Sequence, residues 1–246
     1  MFEAFVPKRR VGCLFPLKVI DYNPYEFYEI APNGILLVLV PLGLEKFTRE
    51  DAERVFAPID EKLELLMQRG IDIVVQAGTP LAVLVGPDFL EKLLAHIENK
   101  AGVPAISMML SVVAAAKHLG FKKIAVADKW NAQMNATLGE FFGRQGISVT
   151  GAVSRSLAPS QFLKMGDLES MNLAYELGRG ALEQYPDADG LYIGGAAWLT
   201  LPVVQCLEQE FGKPVITNQV ATMWQLLHIL KCWNPIPGCG RLLSGS

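Results

Sequence analysis

Two glycine-containing segments follow short apolar runs of this 246-residue chain, and both have the residue types of an anion-binding turn. The first is Gly78-Thr79-Pro80 and the second is Gly194-Gly195-Ala196. Glycine lets the backbone approach a ligand closely, N–H groups after it can hold a carboxylate, and the Thr79 hydroxyl adds a donor. Neither segment has the spacing of a nucleotide-binding loop, which favours a carboxylate over a phosphate. The alternative interpretation is two tight strand-to-helix turns without a ligand.

Charged and aromatic residues follow two other apolar runs. Pro16 and Lys18 come after the first of them, and Asp128-Lys129-Trp130 come after a later one. Lys18 and Lys129 are candidates to bind a carboxylate or, if desolvated, to act as a base or Schiff-base amine. Asp128 is a candidate acid or base, and Pro16 and Trp130 are candidates to line a substrate pocket. The alternative for each charged residue is an ordinary solvated loop position.

Other chemistries are disfavoured by composition and spacing. The four cysteines lack metal-ligand and short disulfide spacings, so we expect reduced thiols and no metal. The three histidines suggest no nucleophile–histidine–acid triad. The net charge of −3 disfavours nucleic acid. The apolar run 35–44 is shorter than the about twenty residues of a membrane span, and no signal-peptide core is evident, so we expect a cytoplasmic protein without membrane contact.

Alternating apolar runs and amphipathic stretches predict an α/β protein with parallel sheets. We expect strands at 10–15, 35–40, 71–76 and 103–107, with helices at 49–69 and 89–99 between them. A second series repeats this order, with strands at 123–127, 147–152, 190–193 and 214–217. Its helices are expected at 132–145, 168–184 and 201–211, and a terminal helix at 220–233.

The two series read as a duplication. The segment 72–79, Asp-Ile-Val-Val-Gln-Ala-Gly-Thr, aligns with 189–196, Asp-Gly-Leu-Tyr-Ile-Gly-Gly-Ala, and Gly-Val-Pro-Ala-Ile-Ser at 102–107 aligns with Gly-Lys-Pro-Val-Ile-Thr at 212–217. We therefore predict two pseudo-symmetric lobes, each a small parallel sheet flanked by helices. The first lobe is 1–112 with the C-terminal segment 218–246, and the second is 113–217. Ligands of open parallel sheets bind beyond the carboxyl ends of the strands, where the candidate residues above are expected.

Several segments resemble the arylmalonate decarboxylase and maleate isomerase group of the aspartate/glutamate racemase superfamily. They are Glu26-Phe27-Tyr28-x-x-Ala31-Pro32-x-Gly34-Ile35, Gly78-Thr79-Pro80, the run 189–201, and Gly238-Cys239-Gly240-Arg241-Leu242. The resemblance implies two-lobed sheets and chemistry without a metal or organic cofactor, in which cysteines at strand ends move protons or add to a double bond. It places the family's two cysteine positions on Gly78 and Gly195, a tyrosine position on Trp130 and a serine position on Pro80.

The sequence thus predicts a cofactor-independent lyase or isomerase that acts on a small carboxylic acid through an enediolate-like intermediate, without the usual cysteine. Its catalytic candidates are Lys18, Asp128 and Lys129. Its substrate-binding candidates are Pro16, Gly78, Thr79, Pro80, Trp130, Gly194, Gly195 and Ala196. The alternative is a catalytically silent carboxylate-binding or regulatory protein on the same fold. Homo-oligomerisation is left open by the sequence.

Overall fold

The computed structural model describes residue 2 and residues 6–195 and 197–245, apart from the side chain at position 159. The chain divides into two compact units, Met1–Met109 and Leu110–Ser246. The C-terminal segment groups with the second unit, because its helix follows the last strand of that unit directly and packs on it. The assignment of 1–112 with 218–246 to one lobe and of 113–217 to the other stays a prediction from the sequence.

The first unit has a four-stranded parallel sheet with strand order β2-β1-β3-β4. The strands are β1 (Arg9–Phe15), β2 (Ile35–Pro41), β3 (Ile73–Gln76) and β4 (Ala105–Ser107). The helices are α1 (Tyr22–Ile30), α2 (Arg49–Phe56), α3 (Ile59–Met67), α4 (Thr79–Val85), α5 (Pro87–Ala101) and α6 (Met108–His118), of which α6 crosses into the second unit.

The second unit repeats this topology with strand order β6-β5-β7-β8, again all parallel. Its strands are β5 (Lys123–Asp128), β6 (Ser148–Ser154), β7 (Gly190–Ile193) and β8 (Val215–Thr217). Its helices are α7 (Ala132–Arg144), α8 (Pro159–Phe162), α9 (Asp167–Gln184), α10 (Leu201–Phe211), α11 (Asn218–Ile229) and α12 (Arg241–Ser244). The predicted fold class, parallel α/β sheets flanked by helices, is confirmed.

Burial explains why β3 and β7 are largely apolar, with Gln76 as the polar residue at the end of β3. Every residue of β3 and β7 is buried, which is typical of parallel strands with helices on both faces. The helix α5 illustrates the covering layer, because Leu90, Leu93 and Ile97 form its buried stripe. The sheets and their helices therefore form around ordinary apolar cores, and the strand ends are left to carry polar chemistry.

One predicted helix is two helices. The stretch 49–69 breaks at Pro58, which separates α2 from α3. Proline has no backbone N–H and cannot continue the hydrogen-bond ladder of the preceding helix. The helices α1, α4, α8 and α12 were not predicted.

Candidate functional site

The carboxyl ends of the central strands are built in the same way in both units. In the first sheet Leu14 is the partner of Gln76, and in the second Ala127 is the partner of Ile193. The next residue along β3, Ala77, donates its N–H to the Leu14 carbonyl at 3.0 Å, and Gly194 donates to the Ala127 carbonyl at 2.8 Å. Position 78 in one unit therefore corresponds to position 195 in the other.

Gly78 and Gly195 share an unusual backbone conformation. Both have φ of +100°, in the region that favours glycine, and each is the second residue after the end of its strand. Their surroundings differ. A Cβ on Gly78 would lie 2.6 Å from Pro16 Cγ, whereas a Cβ on Gly195 would meet its nearest atom, Trp130 Cζ2, at 3.5 Å. The turn at Gly78 is closed by Pro16, and the turn at Gly195 has room for a small side chain.

Polar side chains are buried beside the turn at Gly78. Thr79 begins α4 and is 1% exposed, and Pro80 follows it in the first turn of the helix. Gln76 and Ser107 are fully buried, and the Ser107 hydroxyl donates to Gln76 Oε1 at 2.9 Å. Four of the predicted binding residues (Pro16, Gly78, Thr79 and Pro80) thus follow the carboxyl ends of the neighbouring strands β1 and β3, as expected from their positions in the sequence.

Lys18 lies apart from this group. Its ammonium group forms an ion pair with Glu45 at 2.6 Å, and its side chain is 66% exposed. The hydrogen bond and charge of Lys18 lower the pKa of Glu45. Lys18 therefore occupies a solvated position at the surface of the first unit, and the structure does not bring its charged end to the turn at Gly78.

Lys129 has the opposite environment. It is 2% exposed, and its Nζ donates to the Ala197 carbonyl at 2.9 Å. Nζ also lies 4.1 Å from the ring centroid of Trp198 and 4.7 Å from that of Phe162. Such cation–π contacts are strongest where the cation is desolvated. A buried positive charge therefore stands beside the loop that follows β7.

Trp130 and the residues after β7 form one packed turn. A Cβ on Gly194 would lie 2.8 Å from the Trp130 ring, so the ring covers this turn. The Gly195 N–H donates to Asn218 Oδ1 at 2.7 Å, and Trp198 Nε1 donates to the Gly195 carbonyl at 3.1 Å. The Gly195 N–H is thus engaged by Asn218, although we had expected it to face an anion. Ala196, another predicted binding residue, lies outside the described residues.

Asp128 ends β5 and is fully buried. Its Oδ1 accepts hydrogen bonds from the Trp130 N–H at 2.8 Å, the Ser154 hydroxyl at 2.7 Å and Asn135 Nδ2 at 3.3 Å. Burial raises the pKa of Asp128 to about 6, and these hydrogen bonds and the nearby Lys129 charge only partly offset that effect. Asp128 is therefore joined mainly to β6 and α7, while Lys129 turns toward the loop after β7.

The thiols lie elsewhere. Cys13 is inside β1, and burial raises its pKa to about 12. Cys206 is exposed on α10, and Cys232 and Cys239 belong to the C-terminal segment. None of the four is the residue that follows a strand. Among the described residues there is also no group of three or more His, Cys, Asp or Glu side chains that could hold a metal ion.

Sequence reasoning missed the neutral partners of Asp128, because Asn135 and Ser154 hold its carboxyl group. Asn218, which organises the turn at Gly195, directly follows the predicted strand 214–217 and is therefore where a site residue is expected from the sequence. Asn135 lies inside a helix, and nothing in the sequence pattern distinguishes it from a solvated residue.

In the described part of the chain no helix is long and apolar enough to cross a membrane.

Comparison with known proteins gives consistent results. The sequence model of a family described as arylmalonate decarboxylase matches residues 22–243. The chain is 27% identical to an arylmalonate decarboxylase from Bordetella bronchiseptica over 206 residues, which are 83% of this chain and 85% of that protein.

Two solved structures share the fold. A liganded arylmalonate decarboxylase carrying a glycine-to-cysteine and a cysteine-to-serine substitution has a TM-score of 0.86 and 23% identity, with 97% of this chain and 100% of that chain covered. A cysteine-to-serine mutant of maleate cis-trans isomerase from Nocardia farcinica, with a covalently bound succinylcysteine intermediate, has a TM-score of 0.85 and 16% identity, with 97% and 99% covered.

Proposed function

This chain belongs to the arylmalonate decarboxylase family, and we propose that it decarboxylates or isomerises a small carboxylic acid through an enediolate, without a cofactor. The membership confirms the resemblance inferred from the sequence. The observation that carries the proposal is the buried ammonium group of Lys129 beside the glycine turn of β7. Desolvated charge of this kind is typical of sites that stabilise a developing anion.

We assign two roles to Lys129: its positive charge stabilises the enediolate, and its ammonium group supplies the proton. In a decarboxylation, the bond between the α-carbon and one carboxylate breaks, and the electron pair stays on the remaining carboxylate as an enediolate while CO2 leaves. Nζ of Lys129 then gives a proton to the α-carbon, and water returns a proton to the amine. A positive charge beside the aromatic rings of Phe162 and Trp198 stabilises the enediolate more than the same charge would in water, because the surrounding dielectric is low.

Within the first unit, Thr79 and the backbone near Gly78 are proposed as a carboxylate-binding turn in their own right. The supporting observations are that Thr79 is buried at the carboxyl end of β3 and that Gly78 lets the backbone approach a ligand closely. Lys18 is not assigned a role, since its ammonium group is solvated and paired with Glu45.

The proposed proton donor differs from the thiol chemistry seen in a relative. The Nocardia farcinica isomerase forms a succinylcysteine, whereas positions 78 and 195 of this chain are glycine. Cys13, the cysteine nearest in sequence to a strand end, is buried, and its pKa of about 12 keeps it in the thiol form at neutral pH. That positions 78 and 195 correspond to the catalytic cysteine positions of the relatives stays a prediction from the sequence resemblance.

Substitution of Lys129 tests the proposal. Lys129→Met keeps an unbranched apolar chain between Phe162 and Trp198 but removes the charge and the proton. We expect CO2 release from phenylmalonate, or conversion of maleate to fumarate, to fall at least about 100-fold, since general acid catalysis contributes 10²–10⁴-fold. Lys18→Met is the matched control, because it removes the same charge from a solvated position and should leave the activity unchanged. Equal activity of the two variants would contradict the role of Lys129.

The second candidate is a silent carboxylate-binding protein. It is favoured by the glycines at both strand ends and by the engagement of the Gly195 N–H with Asn218. Calorimetric titration with phenylmalonate and maleate distinguishes the two functions, because a silent protein binds one of these dianions without converting it. A protein that neither binds nor converts these dianions would refute both candidate functions. A cytoplasmic location stays a prediction from the sequence, and self-association stays open.

A further inference from the structure

The Asp128 carboxyl group has all its hydrogen-bond partners on one oxygen. Three donors, from Trp130, Ser154 and Asn135, converge on Oδ1. Oδ2 is buried and has no partner among the described residues. An ionised carboxylate carries charge on both oxygens, and burying one of them without a donor is unfavourable. A neutral acid, by contrast, carries its O–H on one oxygen and accepts hydrogen bonds on the other.

A second buried oxygen in the same cluster also has no partner within the described chain. It is Oδ1 of Asn135, whose Nδ2 donates to Asp128 Oδ1 at 3.3 Å and to Ser154 Oγ at 2.7 Å. These two contacts fix the orientation of the amide, because the reversed amide would turn an acceptor toward the Asp128 oxygen. One proton on Asp128 Oδ2 could satisfy both buried oxygens, since a carboxylic acid and an amide pair through two parallel hydrogen bonds.

We propose that Asp128 keeps its proton well above the pH at which an ordinary aspartic acid loses it, that in this neutral form it pairs with Asn135, and that it acts as a positioning residue for Trp130. Its Oδ1 holds the Trp130 N–H at 2.8 Å, and the Trp130 ring covers the turn at Gly194 and Gly195. Asp128 therefore fixes the wall of the candidate site and is not its proton donor. The link to catalysis rests on the proposed function, but the protonation of Asp128 does not.

The charges around the carboxyl group agree with a neutral acid. Strand β6 contributes the neutral Ser154, and α7 contributes the neutral Asn135. Lys129 is the charged neighbour whose field favours ionisation, and its effect is smaller than that of burial, which raises the pKa of Asp128 to about 6. Arg155 is exposed, and its backbone N–H donates to the Asp128 carbonyl at 3.2 Å.

The Asp128→Asn variant tests the proposal through stability. Its amide group has the shape of the neutral acid and keeps a donor where Oδ2–H would be. The Asp128 carboxyl group binds its proton more tightly in the folded state than in the unfolded state. The parent therefore loses stability as the pH rises from about 4 to about 6, and the variant does not. At pH 8 we expect the variant to have a folded-to-unfolded ratio higher than the parent's by up to on the order of 100-fold, and at pH 4 a similar ratio. A variant that is less stable than the parent at pH 8 would show a functional ionised carboxylate and overturn the proposal.

A direct measurement on the parent protein does not depend on the variant. Carbonyl ¹³C NMR of aspartate-labelled protein, with Asp128 assigned by comparison with Asp128→Asn, should show this carboxyl titrating near pH 6. Titration of Asp128 at or below its ordinary pKa would refute the inference. Catalysis gives the remaining readout: the kcat of the parent should fall as pH rises through 6, because the ionised carboxylate loses its pairing with Asn135, whereas the kcat of Asp128→Asn should not show this fall. If the parent turns over no substrate, the proposed function fails while the NMR and stability results still decide the state of Asp128.

Discussion

A side chain added at Gly195 should cost less stability than one added at Gly78, although both residues have φ of +100°. A residue other than glycine in such a conformation costs about 1–3 kcal/mol. At position 195 this is the main cost, because the new Cβ would lie 3.5 Å from Trp130 and 3.8 Å from Trp198, which are ordinary contacts. We therefore expect Gly195→Ala to lower the free energy of unfolding by about 1–3 kcal/mol.

The cost at Gly78 has a second part. Its Cβ would lie 2.6 Å from Cγ and 3.1 Å from Cβ of Pro16, and the proline ring cannot rotate away. Overpacking of this kind adds about 1–3 kcal/mol, so Gly78→Ala should lose about 2–6 kcal/mol in total. Urea unfolding followed by circular dichroism measures both values. The reasoning is refuted if Gly195→Ala is as destabilising as Gly78→Ala.

The space at position 195 also permits a gain of function. Gly195→Cys would place a thiol at the strand end where relatives are expected to carry theirs, and it should increase decarboxylation of an arylmalonate or racemisation of a 2-arylpropionate over the parent. Gly195→Ser is the matched control, since it has similar size and strain but no acidic thiol. A thermal melt establishes that both variants are folded. A folded Gly195→Cys protein that is no more active than Gly195→Ser would contradict the assignment of this strand end.

Two further predictions concern a buried carboxylate and the reactivity of two thiols. Burial alone would raise the pKa of Asp51, but hydrogen bonds from Arg54 and two backbone N–H groups lower it to about 2. Asp51→Asn should therefore destabilise the protein by about 1–3 kcal/mol at pH 7, and the difference from the parent should shrink as pH falls from 4 to 2, measured by urea unfolding at each pH. Cys206 is exposed and should react with a thiol reagent in the native protein, while the buried Cys13 should react only on unfolding. Mass spectrometry locates the labelled cysteine. Rapid labelling of Cys13 in the native protein would contradict the prediction and show that β1 opens.

Much of the fold follows from local sequence patterns. The apolar runs predicted both sheets because parallel inner strands are buried on both faces, and this requirement is visible in each run by itself. The aligned segments at 72–79 and 189–196 predicted equivalent strand ends, and the structure gives Gly78 and Gly195 the same φ. A glycine after an apolar strand is a local signal, since its freedom depends on its own backbone. The break of 49–69 at Pro58 was equally local and should have been predicted.

The fates of the charged residues were decided by tertiary structure. Lys18 and Lys129 follow the first strands of their units, yet one is solvated beside Glu45 and the other is buried beside Ala197 and Trp198. The protonation of Asp128 likewise depends on Ser154, which is 26 residues away in the chain. Burial, ion pairing and pKa are set by groups that folding brings together, and the residues adjacent in sequence do not reveal them. The sequence by itself therefore determined where the site residues could lie, and packing between distant segments decided which of them carry a buried charge.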